Sequence, residues 1–230
     1  MPLDTFASDP GKDFPFLICW ANENWTRRWD GREDDVLVAQ DHSPEDDVAF
    51  IGYVARYLRN PRYVRVNGRP LLLVYRPAIL PSAKETAERW RQWCRDNGIG
   101  EIHLASTQSF GLDDPEDFGF DSAIEFPPNA TGVRRLRDEV RPLAPDFECR
   151  IFDMADLVAR SRSYKVPPYR LYRGVCPSWD NTARKGRRAG ILVNESPAGY
   201  REWLANAVLD TEKRFRDSDS RLVFINAWNE

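Results

Sequence analysis

Lysine, histidine and cysteine are scarce in this chain of 230 residues. Of its 33 basic residues only Lys12, Lys84, Lys165, Lys185 and Lys213 are lysines. Arginine therefore carries nearly all the positive charge, and its planar fork pairs with carboxylates and phosphates in bidentate fashion. The two histidines, His42 and His103, and the widely spaced Cys19, Cys94, Cys149 and Cys176 give no C-x-x-C pair. That pattern argues against a Cys/His zinc site, and neither a metal nor a cofactor is expected. Cys19 and Cys176 fall in apolar, strand-like runs and are expected as buried free thiols. No apolar run approaches the roughly 20 residues of a membrane-spanning helix. Met1-Pro2-Leu3-Asp4-Thr5 lacks both the charged start and the apolar stretch of a signal peptide, so a cytoplasmic location is expected. A net charge of −3 provides no general attraction to nucleic acid or anionic membrane. Neither G-x-G-x-x-G nor G-x-x-x-x-G-K-[ST] occurs, which removes the usual phosphate loops of doubly wound folds.

What is present is an alternation of apolar runs with helical periods. Phe14 to Trp20, Pro70 to Tyr75, Ile102 to Ser106, Asp121 to Glu125, Arg173 to Cys176, Gly190 to Val193 and Leu222 to Ile225 read as strands. Ser43-Pro44-Glu45 opens a helix, with Ser as cap and Pro in the first turn, and Val48, Ile51, Ala55 and Leu58 keep its apolar period. Ala83 to Asn97 reads as a second helix closed by Gly98, Phe152 to Ser163 as a third, and Ser196-Pro197 to about Arg216 as a fourth. The stretches 111–118 and 127–146, rich in Pro, Asp and Arg, read as long loops with one helical piece at most. Continuous rather than alternating apolar strands predict a parallel α/β sheet. Polar and aromatic clusters follow several different strands, which suits a (β/α)8 TIM-type barrel with its site at the C-terminal rim. Only six or seven strands are visible against eight, so a single barrel domain over 1–230 is expected, lacking its first strands and its last.

Three clusters carry chemistry. After the first strand comes Trp20-Ala21-Asn22-Glu23-Asn24-Trp25-Thr26-Arg27-Arg28-Trp29-Asp30-Gly31. Indole faces pack on the C–H faces of sugar rings, while amides, carboxylates and guanidiniums hydrogen-bond hydroxyls. The plainer alternative is an ordered loop whose tryptophans cover the barrel rim. Ser178-Trp179-Asp180-Asn181-Thr182-Ala183-Arg184 repeats the theme after another strand; by itself it is also compatible with an Asx-capped turn. Asn226-Ala227-Trp228-Asn229-Glu230 sets a carboxylate beside an indole and a carboxamide, and an apolar flank can lift such a carboxyl toward acid–base use. Glu125 occupies another strand tip, where it is either a ligand-binding carboxylate or the partner of Arg27 or Arg28. Trp90, Trp93 and Trp203 sit inside helices and are assigned to packing. The basic run Arg184-Lys185-Gly186-Arg187-Arg188 reads as a solvated loop, with a phosphate contact as its alternative.

These residues together resemble the WbsX-type proteins, a group similar to the glycoside hydrolase family 99 endo-mannosidases. The matching pieces are Phe16 to Gly31, Gly68 to Pro77, Trp179 to Arg184 and Asn226 to Glu230, in order along nearly the whole chain. The resemblance implies a (β/α)8 barrel acting on mannose-like glycosides in bacterial surface-polysaccharide or O-antigen metabolism. Its substrate would be an oligo- or polysaccharide, free or lipid-linked. It also implies retaining cleavage or transfer in which one glutamate takes the proton of the sugar 2-hydroxyl and a second protonates the leaving oxygen. Glu230 matches the first of that pair and is the expected catalytic residue; the second would fall three residues on. The sequence is therefore expected to stop within its own active site. Trp20, Trp25, Trp179 and Trp228 are the expected stacking platforms. Asn22, Glu23, Asn24, Arg27, Arg28, Trp29, Glu125, Asp180, Asn181 and Asn229 are the other expected sugar contacts. Two alternatives remain: a nucleotide-sugar-dependent glycosyltransferase, for which Asp217-Ser218-Asp219 is the one Asp-x-Asp match, and an inactive sugar-binding fragment.

Overall fold

A computed structural model describes residues 2–27, 32–136, 140–141, 143 and 146–228. Helix α1 (Pro2–Ser8) leads to strand β1 (Ile18–Trp20). Strands β2 (Trp25–Arg27) and β3 (Arg32–Val38) form an antiparallel ribbon. Helix α2 (Pro44–Leu58), strands β4 (Arg65–Val66) and β5 (Arg69–Val74), helix α3 (Ala83–Asp96) and strand β6 (His103–Gln108) follow. Next come β7 (Ser122–Glu125), β8 (Arg150–Asp153), α4 (Met154–Ser161) and β9 (Leu171–Val175). The chain continues through α5 (Thr182–Lys185), β10 (Gly190–Val193), α6 (Pro197–Arg214) and β11 (Val223–Ile225). The fold is mixed α/β, with parallel strands separated by helices as the sequence predicts.

Two compact units divide the chain within β7. One comprises residues 1–23, 41–107 and 113–123; the other comprises 24–40, 108–112 and 124–230.

In the first unit β5 lies between β1 and β6, all parallel, with Leu72 opposite both Ile18 and Leu104. Helices α2 and α3 cover this sheet. Ser43 caps α2 by accepting from the Asp46 amide at 3.1 Å, with Pro44 in the first turn. On α3, Ala83, Thr86, Ala87, Trp90 and Cys94 are buried at helical spacing. Ala87, Trp90 and Cys94 close with Ile51, Val54, Leu58, Leu72, Val74 and Leu104 into one core. Val48 departs from the expected apolar stripe: it is 42% exposed, because the buried face of α2 passes through Asp47, Ile51, Val54, Ala55 and Leu58. Cys19 also departs, being exposed rather than buried. Its neighbours Ile18 and Trp20 pack into the core, and strand alternation turns Cys19 the other way. Cys176 is buried as expected.

In the second unit β9 pairs in parallel with β11, and β8 with β10. Phe152, Leu157, Val175, Leu192, Trp203 and Ala207 anchor its core. The helix expected from Phe152 starts two residues later. Phe152 belongs to β8, and Asp153 ends that strand by accepting from the Ala155 amide at 2.8 Å, which caps α4.

Candidate functional site

At the C-terminal tips of β1 and β5 the backbone groups are fastened to each other. The Tyr75 amide donates to the Trp20 carbonyl at 2.9 Å. Fully buried Asn22 then bridges the two tips: its Nδ2 donates to the Arg76 carbonyl at 2.8 Å, and its Oδ1 accepts from the Arg76 amide at 2.8 Å. Thr107, near the end of β6, donates its hydroxyl to the Tyr75 carbonyl at 2.7 Å. This lattice presents Glu23 beside Arg76, with Nη1 and Oε1 2.9 Å apart and the glutamate side chain 12% exposed. Asn22 and Glu23 are thus brought together, the first as a brace and the second as a charged group at the strand tips. Trp20 serves the core: its ring stacks on Phe50 at 4.3 Å and meets Trp90 at 5.6 Å. Packed in this way, the indole does not offer the free face expected of a sugar platform.

Within the second unit, Asn24 accepts from the Gln40 amide at 2.8 Å and pins the two ends of the β2–β3 ribbon together. Trp25 stands opposite Val38 and is 65% exposed, and Arg27 faces Asp35 at 3.5 Å. Trp25 therefore has an open indole face. Arg28 and Trp29 lie outside the described residues.

Trp179-Asp180-Asn181 forms a brace for β10. Trp179 is 9% exposed and belongs to the core, and its carbonyl accepts from the Leu192 amide at 2.8 Å. Asn181 is buried and accepts from the Gly190 amide at 2.8 Å; exposed Asp180 caps the Thr182 amide at the same distance. Core packing closes the platform expected at Trp179, whereas Asp180 remains at the surface. Beyond β11, Asn226 donates to the Pro127 carbonyl at 2.6 Å, and Trp228 is 70% exposed. Asn229 and Glu230 lie outside the described residues.

Glu125 is an enclosed network residue. Its carboxylate accepts from Arg160, from Arg173 at 3.0 Å and from the Gly174 amide at 3.2 Å. The expected pairing with Arg27 gives way to these partners, since Arg27 faces Asp35; Arg28 lies outside the described residues. Arg173 in turn reaches Asp210 at 2.7 Å and the Lys165 carbonyl at 2.9 Å, and lies 3.9 Å over the Tyr164 ring. Burial weakens the Arg173 cation, but the charges of Glu125 and Asp210 outweigh that and raise its pKa above the usual arginine value. Sequence reasoning passed over Arg76, Arg160 and Arg173. A charged residue inside the buried run Leu171-Tyr172-Arg173-Gly174-Val175 is the signal that could have found the last of these.

A mixed α/β protein with parallel strands whose tips carry amide, carboxylate and guanidinium groups is the class these observations define. The comparisons name the family. Residues 1–230 match the family described as Glycosyltransferase WbsX, and the chain belongs to it. It is 51% identical over 232 residues to an uncharacterised protein WxcX of Xanthomonas campestris pv. campestris strain B100. It is 50% identical to the WxcX protein of strain ATCC 33913 of the same pathovar. Each match takes in 100% of this chain and 33% of the relative, so the chain spans about one third of these proteins' length. Among solved structures, a glycoside hydrolase-like protein aligns with a TM-score of 0.47 at 16% identity, over 80% of this chain and 51% of its own.

Proposed function

We propose that this chain forms part of a carbohydrate-active (β/α)8 barrel enzyme that cleaves or transfers mannose-like glycosides with retention. The observation that carries the reading is the whole-length family match, in a fold that sets polar groups at parallel strand tips. Glu230 is assigned the proton of the sugar 2-hydroxyl, as the resemblance to family 99 hydrolases implies; Asn229 is assigned a nearby hydroxyl. Trp25 and Trp228 supply the exposed indole faces, Arg27 and Asp180 the surface polar contacts, and Glu23 a largely buried carboxylate. Asn22 and Asn181 hold the backbone that carries those contacts. The substrate context is bacterial surface polysaccharide.

The description of the matched family favours a second reading, in which a nucleotide sugar is the donor. The test uses a longer protein, this chain extended to the length of its WxcX relatives. Aryl α-mannosides and nucleotide-activated mannose, with and without Mg²⁺, are supplied separately, and products are followed by anomeric proton NMR. Release or transfer from the mannoside with retained configuration supports the first reading. Transfer from the nucleotide sugar alone supports the second, and turnover of neither donor overturns both.

A further inference from the structure

The second unit contains a cavity of about 620 Å³ that no part of the catalytic reading uses. Its volume falls within the roughly 300–1,000 Å³ of small-molecule sites. One wall is cationic, formed by Arg160, Arg173 and Lys165. The guanidiniums of Arg160, Arg173 and Arg214 share two carboxylates among the described residues, those of Glu125 and Asp210. Three guanidiniums thus meet two carboxylates in a largely enclosed cluster, and Lys165, exposed in the cavity lining, adds a further positive charge. An excess of positive charge removed from water is costly unless an anion completes it.

The lining also offers a group suited to a hydroxyl. Tyr169, part of the cavity wall, has its phenol oxygen fixed by Gln108 Nε2 at 2.8 Å and donates toward the Leu112 carbonyl at 3.4 Å. A phenol oxygen accepting one such bond retains a second lone pair. Mixed polar and apolar walls with a few fixed charges are the composition of a site for a small polar ligand.

We propose that this cavity binds a sugar-sized anion, a hydroxylated ring bearing one carboxylate or one phosphate group. The Lys165 ammonium and the unshared donors of Arg160 contact the acidic group, and Tyr169 contacts a ring hydroxyl. Arg173 is committed to Glu125, Asp210 and the Lys165 carbonyl, so it supplies field rather than a direct contact. Its lining includes none of the sugar platforms, and the proposal does not depend on which donor the enzyme uses.

Titration of the chain with glucuronate, mannose 6-phosphate and mannose, followed by NMR at low salt, tests this. One or both anions should bind, and the tighter of the two identifies the acidic group. Mannose should bind at least about tenfold more weakly, and Lys165→Gln should weaken the anion by a similar factor with an unchanged circular dichroism spectrum. Tyr169→Phe should weaken both anions while leaving their response to salt unaltered. Equal affinity for mannose, absence of anion binding, or full affinity in the Lys165→Gln variant overturns the proposal.

Discussion

The Asn22 side chain and the Arg76 backbone exchange two hydrogen bonds, each 2.8 Å long, in a fully buried position. One amide side chain thereby completes the backbone pairing of two strand tips where the sheet ladder ends. Asn22→Ala removes both bonds and leaves a buried N–H and C=O unsatisfied, a loss of about 2–4 kcal/mol. Asn22→Asp keeps an acceptor for the Arg76 amide but cannot donate while ionised, so it should also be destabilising. Urea denaturation should give a lower midpoint for both variants, and an unchanged midpoint in Asn22→Ala would remove the brace from the account.

Trp25 and Trp179 should respond oppositely to truncation. Trp179→Ala empties part of a packed core and should cost about 3–5 kcal/mol. Trp25→Ala changes an exposed ribbon position and should shift stability by about 1 kcal/mol or less, while weakening sugar binding in the longer protein. Paired thermal melts and a sugar titration check both halves. A large stability loss in Trp25→Ala would mean that its indole is structural.

Acid should weaken the first unit through Asp121. Burial by itself raises this carboxyl, but the Leu104 amide, the charge of His103 and the Arg69 guanidinium outweigh it and bring the pKa below the ordinary 3.8. Arg69 and Arg91 reach its two oxygens at 2.8 and 2.9 Å. A carboxyl depressed in the folded state adds stability above its unfolded value of about 4, and that stability is lost as pH falls through the folded value. Asp121→Asn should therefore be less stable than the parent at pH 7, by about 2 kcal/mol or more, with the gap narrowing below about pH 4. A gap independent of pH would contradict the assignment.

Glu230→Gln in the longer protein should abolish turnover, since a carboxamide cannot take the 2-hydroxyl proton, and should leave sugar affinity within about threefold. Loss of turnover together with loss of binding would assign Glu230 to binding instead.

Much of the fold was readable because its signals are local. Ser43-Pro44 and Ser196-Pro197 announce helix starts through capping chemistry, and Gly98, at φ +72°, ends α3 in the left-handed region. The short strand β8 was hidden because Arg150-Ile151-Phe152-Asp153 runs without a break into an apolar helical period. The candidate site was readable only in part. Asn22 and Asn181 satisfy backbone groups with the same donors and acceptors that would bind a sugar, so residue type alone cannot separate the two roles. Trp20 and Trp25 differ not in chemistry but in what faces them: Phe50 and Trp90 for the first, solvent for the second. Those partners come from distant segments, and no local pattern encodes them.

Gly174 gives the sharpest steric test of the second unit. It sits between Arg173 and Val175 on β9, directly beside the backbone of Glu125. A Cβ built there would stand 2.2 Å from the Glu125 carbonyl oxygen and 2.8 Å from its carbon. Both atoms are backbone, so no rotamer change relieves the overlap; β7 and β9 must move apart instead. That movement also stretches the Gly174 amide bond to the Glu125 carboxylate, now 3.2 Å, and the Arg173 contact at 3.0 Å. Gly174→Ala should thus cost more than the increase in strand propensity returns, about 3 kcal/mol or greater. Arg173→Met, which deletes the charge without crowding the strands, should be destabilising as well, because Glu125 and Asp210 lose a shared buried partner. If separation of the strands is the cause, hydrogen exchange in Gly174→Ala should accelerate along both β7 and β9. Protection equal to that of the parent would show that the strands accommodate a methyl group, and that the close approach of Gly174 to Glu125 is not needed to hold the network.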